Sequence, residues 1–236
     1  MRFQRIGVYG VGHFGYALLR HLADKCERAI DEPFELLAYD RNDEVRQGLR
    51  EHGRHPHYDT DKPTPACVTI VDDPETLLEA LDLLLLCVTS DSAREVASEA
   101  ARRLEGRPDP PAFLNTAKAL DSRSGQPLSR VVLPLLAEAG VRPQYAALSG
   151  GTIAADMLRN QPLGATVACA DADRREALRR LLSSPSLWIE PSDDVLGVEL
   201  AGAFKNVISI CAGMAEGMGF AYGVETHLIS RLAGEI

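Results

Sequence analysis

Short apolar runs alternate along this chain with stretches in which apolar residues return every three or four positions, and this predicts an α/β fold with a mostly parallel sheet and helices on both faces. The runs at residues 6–9, 34–40, 68–71, 83–88 and 112–116 read as strands, as do 145–149, 166–170 and 187–190. Helical spacing covers 14–24, 43–52, 74–81, 92–104, 128–139, 153–159 and 174–183. Residues 52–65 break the rhythm with three prolines among polar residues, which predicts a loop or an edge excursion. The run 83–88 is apolar at every position, as expected of a strand covered on both faces.

After Pro191 the texture changes. Residues 195–218 are apolar or small almost throughout, with Gly197, Gly202, Gly213 and Gly217 spaced so that helices can approach closely; Ser192 or Asp193 offers an N-cap. This predicts a buried helix that opens a second, all-helical domain, followed by about one more helix. The expected division is an α/β domain over residues 1–191 and the start of a helical domain over 192–236.

Composition then removes several classes of function. Hydrophobic residues make up 45% and charged residues 25%, ordinary for a packed globular chain. A formal charge of −9, with no Lys/Arg block longer than two residues, excludes a nucleic-acid binder. Five widely spaced cysteines without a CxxC pair fit neither a zinc site nor a disulfide framework, so a reducing cytoplasm and no metal are expected. The longest uninterrupted apolar run, 83–88, falls far short of the roughly 20 residues a bilayer crossing needs, so no membrane span is expected.

Gly10-Val11-Gly12-His13-Phe14-Gly15 follows the first strand directly and leads directly into a helical pattern. In that context Gly10 suits a tight turn, Gly12 lets a pyrophosphate approach the backbone, and Gly15 lets helix and strand pack closely. The free N–H groups and partial positive charge of the helix N-terminus then favour an anion. Together these features predict a Rossmann-type dinucleotide-binding domain. Asp40, at the end of the second strand, suits the adenine ribose hydroxyls and favours NAD, while neighbouring Arg41 could pair with the 2′-phosphate of NADP.

Two lysines stand out. Lys118 follows the strand at 112–116, so it falls beyond a strand's carboxyl end, where open α/β sheets bind ligands. Lys205 lies within Leu200-Ala-Gly-Ala-Phe-Lys-Asn-Val-Ile208, on a helix apolar on most sides. Either its stem carries the charge out to water, or the ammonium lines a polar cleft where it can exchange a proton.

Four blocks carry a resemblance over essentially the whole chain. They are Gly10-Val-Gly-His-Phe-Gly-Tyr-Ala17, Asn115-Thr-Ala-Lys-Ala-Leu120, Leu148-Ser-Gly-Gly-Thr-Ile-Ala-Ala-Asp156 and Val195-Leu-Gly-Val-Glu-Leu-Ala-Gly-Ala-Phe-Lys-Asn-Val207. With them the chain resembles the NAD(P)-dependent glycerol-3-phosphate dehydrogenases. The resemblance implies hydride transfer between NAD(P)H and dihydroxyacetone phosphate, a small phosphorylated substrate, giving sn-glycerol 3-phosphate. It implies that Lys205 is the proton donor and acceptor and that Lys118 is shared by cofactor and substrate. Gly150 and Thr152 then line the substrate side, Ala154 lies beside the cofactor, and His13 and Phe14 belong to the pyrophosphate turn.

Gly151, Thr89 and Ala119 stand where the family usually has Pro, Pro and Gly. The family also carries an Asp and an Arg-Asn pair that grip the substrate phosphate, and they lie past residue 236. Poor turnover by these residues alone, an exposed apolar face on the helix at 195–218 and a homo-oligomer are therefore expected.

His52, His55 and His57 are expected to be solvated loop residues, and the acids at 171–173 and 193–194 to serve as turns or helix caps. Two other functions remain open. A related reductase of a small 2-keto or 3-hydroxy acid would not need lysines at these two places, and a cofactor-binding sensor or inactive subunit would bind nucleotide without turnover.

Overall fold

The computed structural model describes residues 1–28, 33–58 and 63–235. Its strands form one sheet in the order β3-β2-β1-β4-β5-β6-β7-β8. From the centre, β1 (Arg5–Tyr9), β2 (Glu35–Tyr39) and β3 (Val68–Ile70) lead to one edge. β4 (Leu83–Leu86), β5 (Ala112–Asn115) and β6 (Tyr145–Gly150) lead towards the other, and all six run parallel. β7 (Leu163–Cys169) returns antiparallel to β6, with β8 (Leu187–Ser192) parallel to β7. The order reverses between β1 and β4, and in such sheets the ligand crevice opens at the carboxyl ends of the strands that flank the reversal.

The helices are α1 (His13–Glu27), α2 (Asp43–His52), α3 (Pro74–Leu78), α4 (Ser90–Leu104), α5 (Ser129–Glu138), α6 (Ala154–Leu158), α7 (Ala172–Leu182), α8 (Val195–Gly217) and α9 (Tyr222–Ala233). Two apolar layers sandwich the sheet. Leu83 and Leu85 of β4 face the layer formed with α1 and α7, and Leu84 and Leu86 face the layer formed with α3, α4 and α5. A strand feeding both layers must be apolar at every position, which is why β4 does not alternate.

Local chemistry sets the boundaries. The Asn42 side chain accepts from Glu44 N–H at 3.0 Å to start α2, and the Asp171 side chain accepts from Arg174 N–H at 2.8 Å to start α7. α3 ends at Leu78, earlier than the pattern at 74–81 suggests, because Ala80 takes a left-handed φ of 54° that no helix can continue. The cap of α8 is Asp194, which accepts from Gly197 N–H at 2.8 Å, rather than Ser192 or Asp193. Ser192 is instead the last residue of β8.

For α8 the texture of the sequence predicts a buried helix and the family resemblance an exposed apolar face, and the structure bears out the second. The buried residues of α8 are Glu199, Gly202, Ala212 and Ala215, while Phe204, Val207, Ile210 and Met214 are exposed. α8 packs on β6 and β7, and beyond them on α9, which buries none of its own residues. By length and hydropathy α8 could cross a bilayer, a possibility that counting uninterrupted apolar runs does not reveal. A hydrogen bond that Glu199 accepts from Tyr145 OH and one that Lys205 donates to Gly150 O tie it to the sheet.

Candidate active site

The glycine turn lies at the crevice, and its three glycines do different things. Gly10 adopts a φ of 92°, which L side chains avoid, and donates its N–H to Tyr39 O at 2.8 Å. A Cβ on Gly15 would lie 2.0 Å from Gly10 O, so only glycine lets α1 start this close to β1. A Cβ on Gly12 would meet nothing within 4 Å: this backbone faces open space. No side chain caps α1, and Gly12 and His13 are exposed. An uncapped helix N-terminus beside an open glycine suits the pyrophosphate of a dinucleotide.

A cleft of about 900 Å³ opens here, lined among others by Gly10, Gly12, Asp40, Arg41, Val88 and Thr89. Asp40 supports the turn as well as facing the cleft. One carboxylate oxygen accepts from Val11 N–H at 2.7 Å and the other from Asn42 N–H at 2.9 Å. Each carboxylate oxygen has more than one lone pair, so these bonds leave capacity for a ribose hydroxyl. Arg41 is exposed beside it.

Under the turn lies a residue that the sequence reading assigned to solvent. His55 is 6% exposed, and its Nε2 lies 2.8 Å from Val11 O. A carbonyl only accepts, so Nε2 carries the proton and Nδ1 accepts from His57 N–H at 3.1 Å. Burial lowers the imidazole pKa and favours this neutral form. Its ring packs against Tyr16 and Tyr58, and His13 stacks on Tyr58 at 4.4 Å. No local periodicity reveals this, because the contact joins the loop after α2 to the first turn.

Beyond the turn the two lysines converge. Lys205 Nζ donates to Gly150 O at 2.7 Å. Lys118 Nζ donates to Thr152 Oγ1 at 2.7 Å and Thr152 O at 3.0 Å, with Gly150 O at 3.4 Å. Gly150 takes a φ of 145°, and a Cβ there would strike Ala165 Cα at 2.6 Å, so this shared acceptor must be glycine. Phe14 links the lysines to the turn, since Lys118 Nζ lies over its ring at 4.9 Å. Burial, and then the charge of Lys205, lower the Lys118 pKa to about 8.

The loop after Lys118 is fixed by Asp121, whose carboxylate takes the Arg94 guanidinium at 2.9 Å and Ser124 Oγ at 2.6 Å. Thr152 and Ala154 are buried at the far wall, where the chain leaves β6 for α6. Gly10, Gly12, Asp40 and Arg41 line the cleft, while Lys118, Gly150, Thr152 and Lys205 gather outside its lining, with Lys118 resting on Phe14 of the turn. Cationic amines held at a bare carbonyl can grip an oxygen or phosphate that takes up negative charge and can pass a proton to it.

Known proteins resemble this chain in sequence and in fold. A family model described as the NAD-dependent glycerol-3-phosphate dehydrogenase N-terminus matches residues 5–175, and its C-terminus counterpart matches 194–236. Glycerol-3-phosphate dehydrogenase (NAD(P)+) of Chlamydia pneumoniae is 30% identical over 228 residues, which are 97% of this chain and 65% of the relative. The protein of that name from Thioalkalivibrio sulfidiphilus is 31% identical over 231 residues, 98% of this chain and 66% of the relative. The chain therefore spans about two thirds of the length of the curated relatives it matches.

Among solved structures, a glycerol-3-phosphate dehydrogenase from Coxiella burnetii superposes with a TM-score of 0.82 at 23% identity, covering 97% of this chain and 66% of that one. One from Plasmodium falciparum gives 0.86 at 18% identity, covering 99% and 65%. At these identities the two structures speak for the fold.

Proposed function

This chain belongs to the NAD-dependent glycerol-3-phosphate dehydrogenase family, and from that premise we propose that it transfers a hydride between NAD(P)H and dihydroxyacetone phosphate to give sn-glycerol 3-phosphate. Residues 1–191 act as the dinucleotide-binding domain and 192–236 as the opening of the helical substrate domain. The single observation that carries the reading is the meeting of Lys118 and Lys205 at Gly150 O. A 2-keto or 3-hydroxy acid reductase would not require that pair.

Bound nicotinamide supplies the hydride. The protein supplies position and charge. Gly10, Gly12, His13, Phe14 and Gly15 form the cradle for the pyrophosphate, and Ala154 closes the wall beside the cofactor. The Lys205 ammonium protonates the substrate oxygen as it gains negative charge and takes the proton back in the reverse direction. Lys118, with Gly150 and Thr152 around it, holds the phosphate and the polarised oxygen in place. Asp40 favours NAD, because its carboxylate would repel a 2′-phosphate, and Arg41 is the residue that would admit NADP. The exposed apolar residues of α8 support association into a homo-oligomer, and the unpaired cysteines accord with a reducing cytoplasm.

Fluorescence titration with NADH and with NADPH, followed by addition of dihydroxyacetone phosphate while the nicotinamide absorbance is monitored, tests this. Cofactor binding followed by slow substrate-dependent oxidation, lost in Lys205→Ala, is the expected result. Binding without oxidation would leave a cofactor-binding sensor, and no binding would overturn the proposal.

A further inference from the structure

α8 is anchored in an unusual way. Its apolar residues largely face outward, yet Glu199, a carboxylate, is 7% exposed. Buried carboxylates persist only when their charge is met. Here four donor groups meet it: Asn115 Nδ2 at 3.2 Å, Tyr145 OH at 2.7 Å, Ser129 N–H at 3.1 Å, and the Ser129 hydroxyl. Ser129 is the first residue of α5, so the carboxylate also sits at a helix N-terminus, where the macrodipole favours a negative charge. Among the described residues no Lys or Arg forms an ion pair with it.

The donors lead back to the lysines. Asn115 ends β5, and its Oδ1 accepts from Ala117 N–H at 3.0 Å, fixing the turn that presents Lys118. Tyr145 begins β6, the strand whose last residue is Gly150. Three residues after Glu199, Gly202 lies so close to the sheet that a Cβ would come within 2.4 Å of Ser149 Oγ. Three residues further on comes Lys205. Glu199 and Gly202, and then Gly202 and Lys205, are neighbouring pairs on the surface of α8, as a spacing of three places them.

We propose that Glu199 is a positioning residue, whose ionised carboxylate locks α8 and the Asn115 turn together so that Lys205 and Lys118 are held against Gly150. The inference rests on the lysine roles proposed above, but its geometry can be tested without cofactor or substrate. Burial and the negative charge of Glu199 hold the Tyr145 hydroxyl protonated, far above the ordinary tyrosine range, as a donor to this carboxylate must be.

The experiment is competitive acylation of lysine amines with a trace reagent across the neutral-to-alkaline range, read residue by residue by mass spectrometry, with melting temperature measured alongside. In the native chain Lys118 should titrate near pH 8. Glu199→Gln keeps the shape but turns an amide N–H₂ towards donors. Lys118 should then shift upward towards the ordinary 10.5 as Lys205 swings away.

Tyr145→Phe, which removes one donor and keeps the charge, should give a smaller shift of the same sign, and it decides the matter if Glu199→Gln does not fold. A lower melting temperature with the Lys118 midpoint unmoved would make Glu199 merely structural and overturn the proposal. Failure of cofactor binding or turnover would instead strike the dehydrogenase reading and leave this measurement standing.

Discussion

α1 and α8 both read as apolar helices, yet they are held in opposite ways. α1 buries Tyr16, Leu18, Leu19 and Leu22 against β1 and its neighbours, so the hydrophobic effect fixes it. α8 leaves Phe204, Val207, Ile210 and Met214 in solvent and is fixed through Glu199, Gly202 and Lys205. An apolar stripe shows that a helix can be covered. It does not show that the cover lies within the same stretch of chain.

The sharpest way to break this contrast is to cut one apolar side chain on each helix. Leu19→Ala, at a fully buried site, is expected to cost about 2–5 kcal/mol in urea unfolding. Ile210→Ser, at a site 62% exposed, is expected to stay within about 0.5 kcal/mol. On size-exclusion chromatography the same Ile210→Ser change should move the chain towards monomer. Equal losses of stability would mean that α8 is covered after all.

Glycine replacements sharpen the contrast next. Gly15→Ala drives a methyl into Gly10 O and should cost about 1–3 kcal/mol. It should also abolish the NADH fluorescence response, because the turn must open. Gly213→Ala on α8 meets nothing within 4 Å and should instead stabilise by about 0.5–1 kcal/mol through helix propensity. Thermal melts of the two variants should move in opposite directions.

A separate effect is a pH dependence at the lysine pair. Lys118 titrates near 8 in the folded chain and near 10.5 when unfolded. The unfolded chain therefore binds more protons between those values, and stability rises with pH across that window. Below about pH 8 both states are protonated and the full cost of holding the charge remains. Lys118→Met should remove this dependence, so that the two melting-temperature curves separate most at neutral pH and converge in alkali.

Much of the fold is legible in the sequence because its signals are local. The all-apolar run of β4, the Asn42 and Asp171 caps and the glycine turn each follow from the chemistry of a few neighbouring residues. Lys118 could be placed at a strand's carboxyl end, but its meeting with Lys205 could be read only through family resemblance. His55 was misread because burial is a property of what packs on a residue, and Val11, Tyr16 and Tyr58 come from other segments. Glu199 was passed over for the same reason.

The sequence by itself determined the order and kind of the elements, the parallel sheet and the dinucleotide turn. Periodicity, capping and φ preferences act over a few residues and need no partner. Only the tertiary structure decided that Asp40 and His55 brace the turn, and that a buried carboxylate and a glycine carbonyl gather the two lysines. Desolvation and hydrogen bonding depend on which surfaces meet, and that is settled when the sheet, α5 and α8 come together.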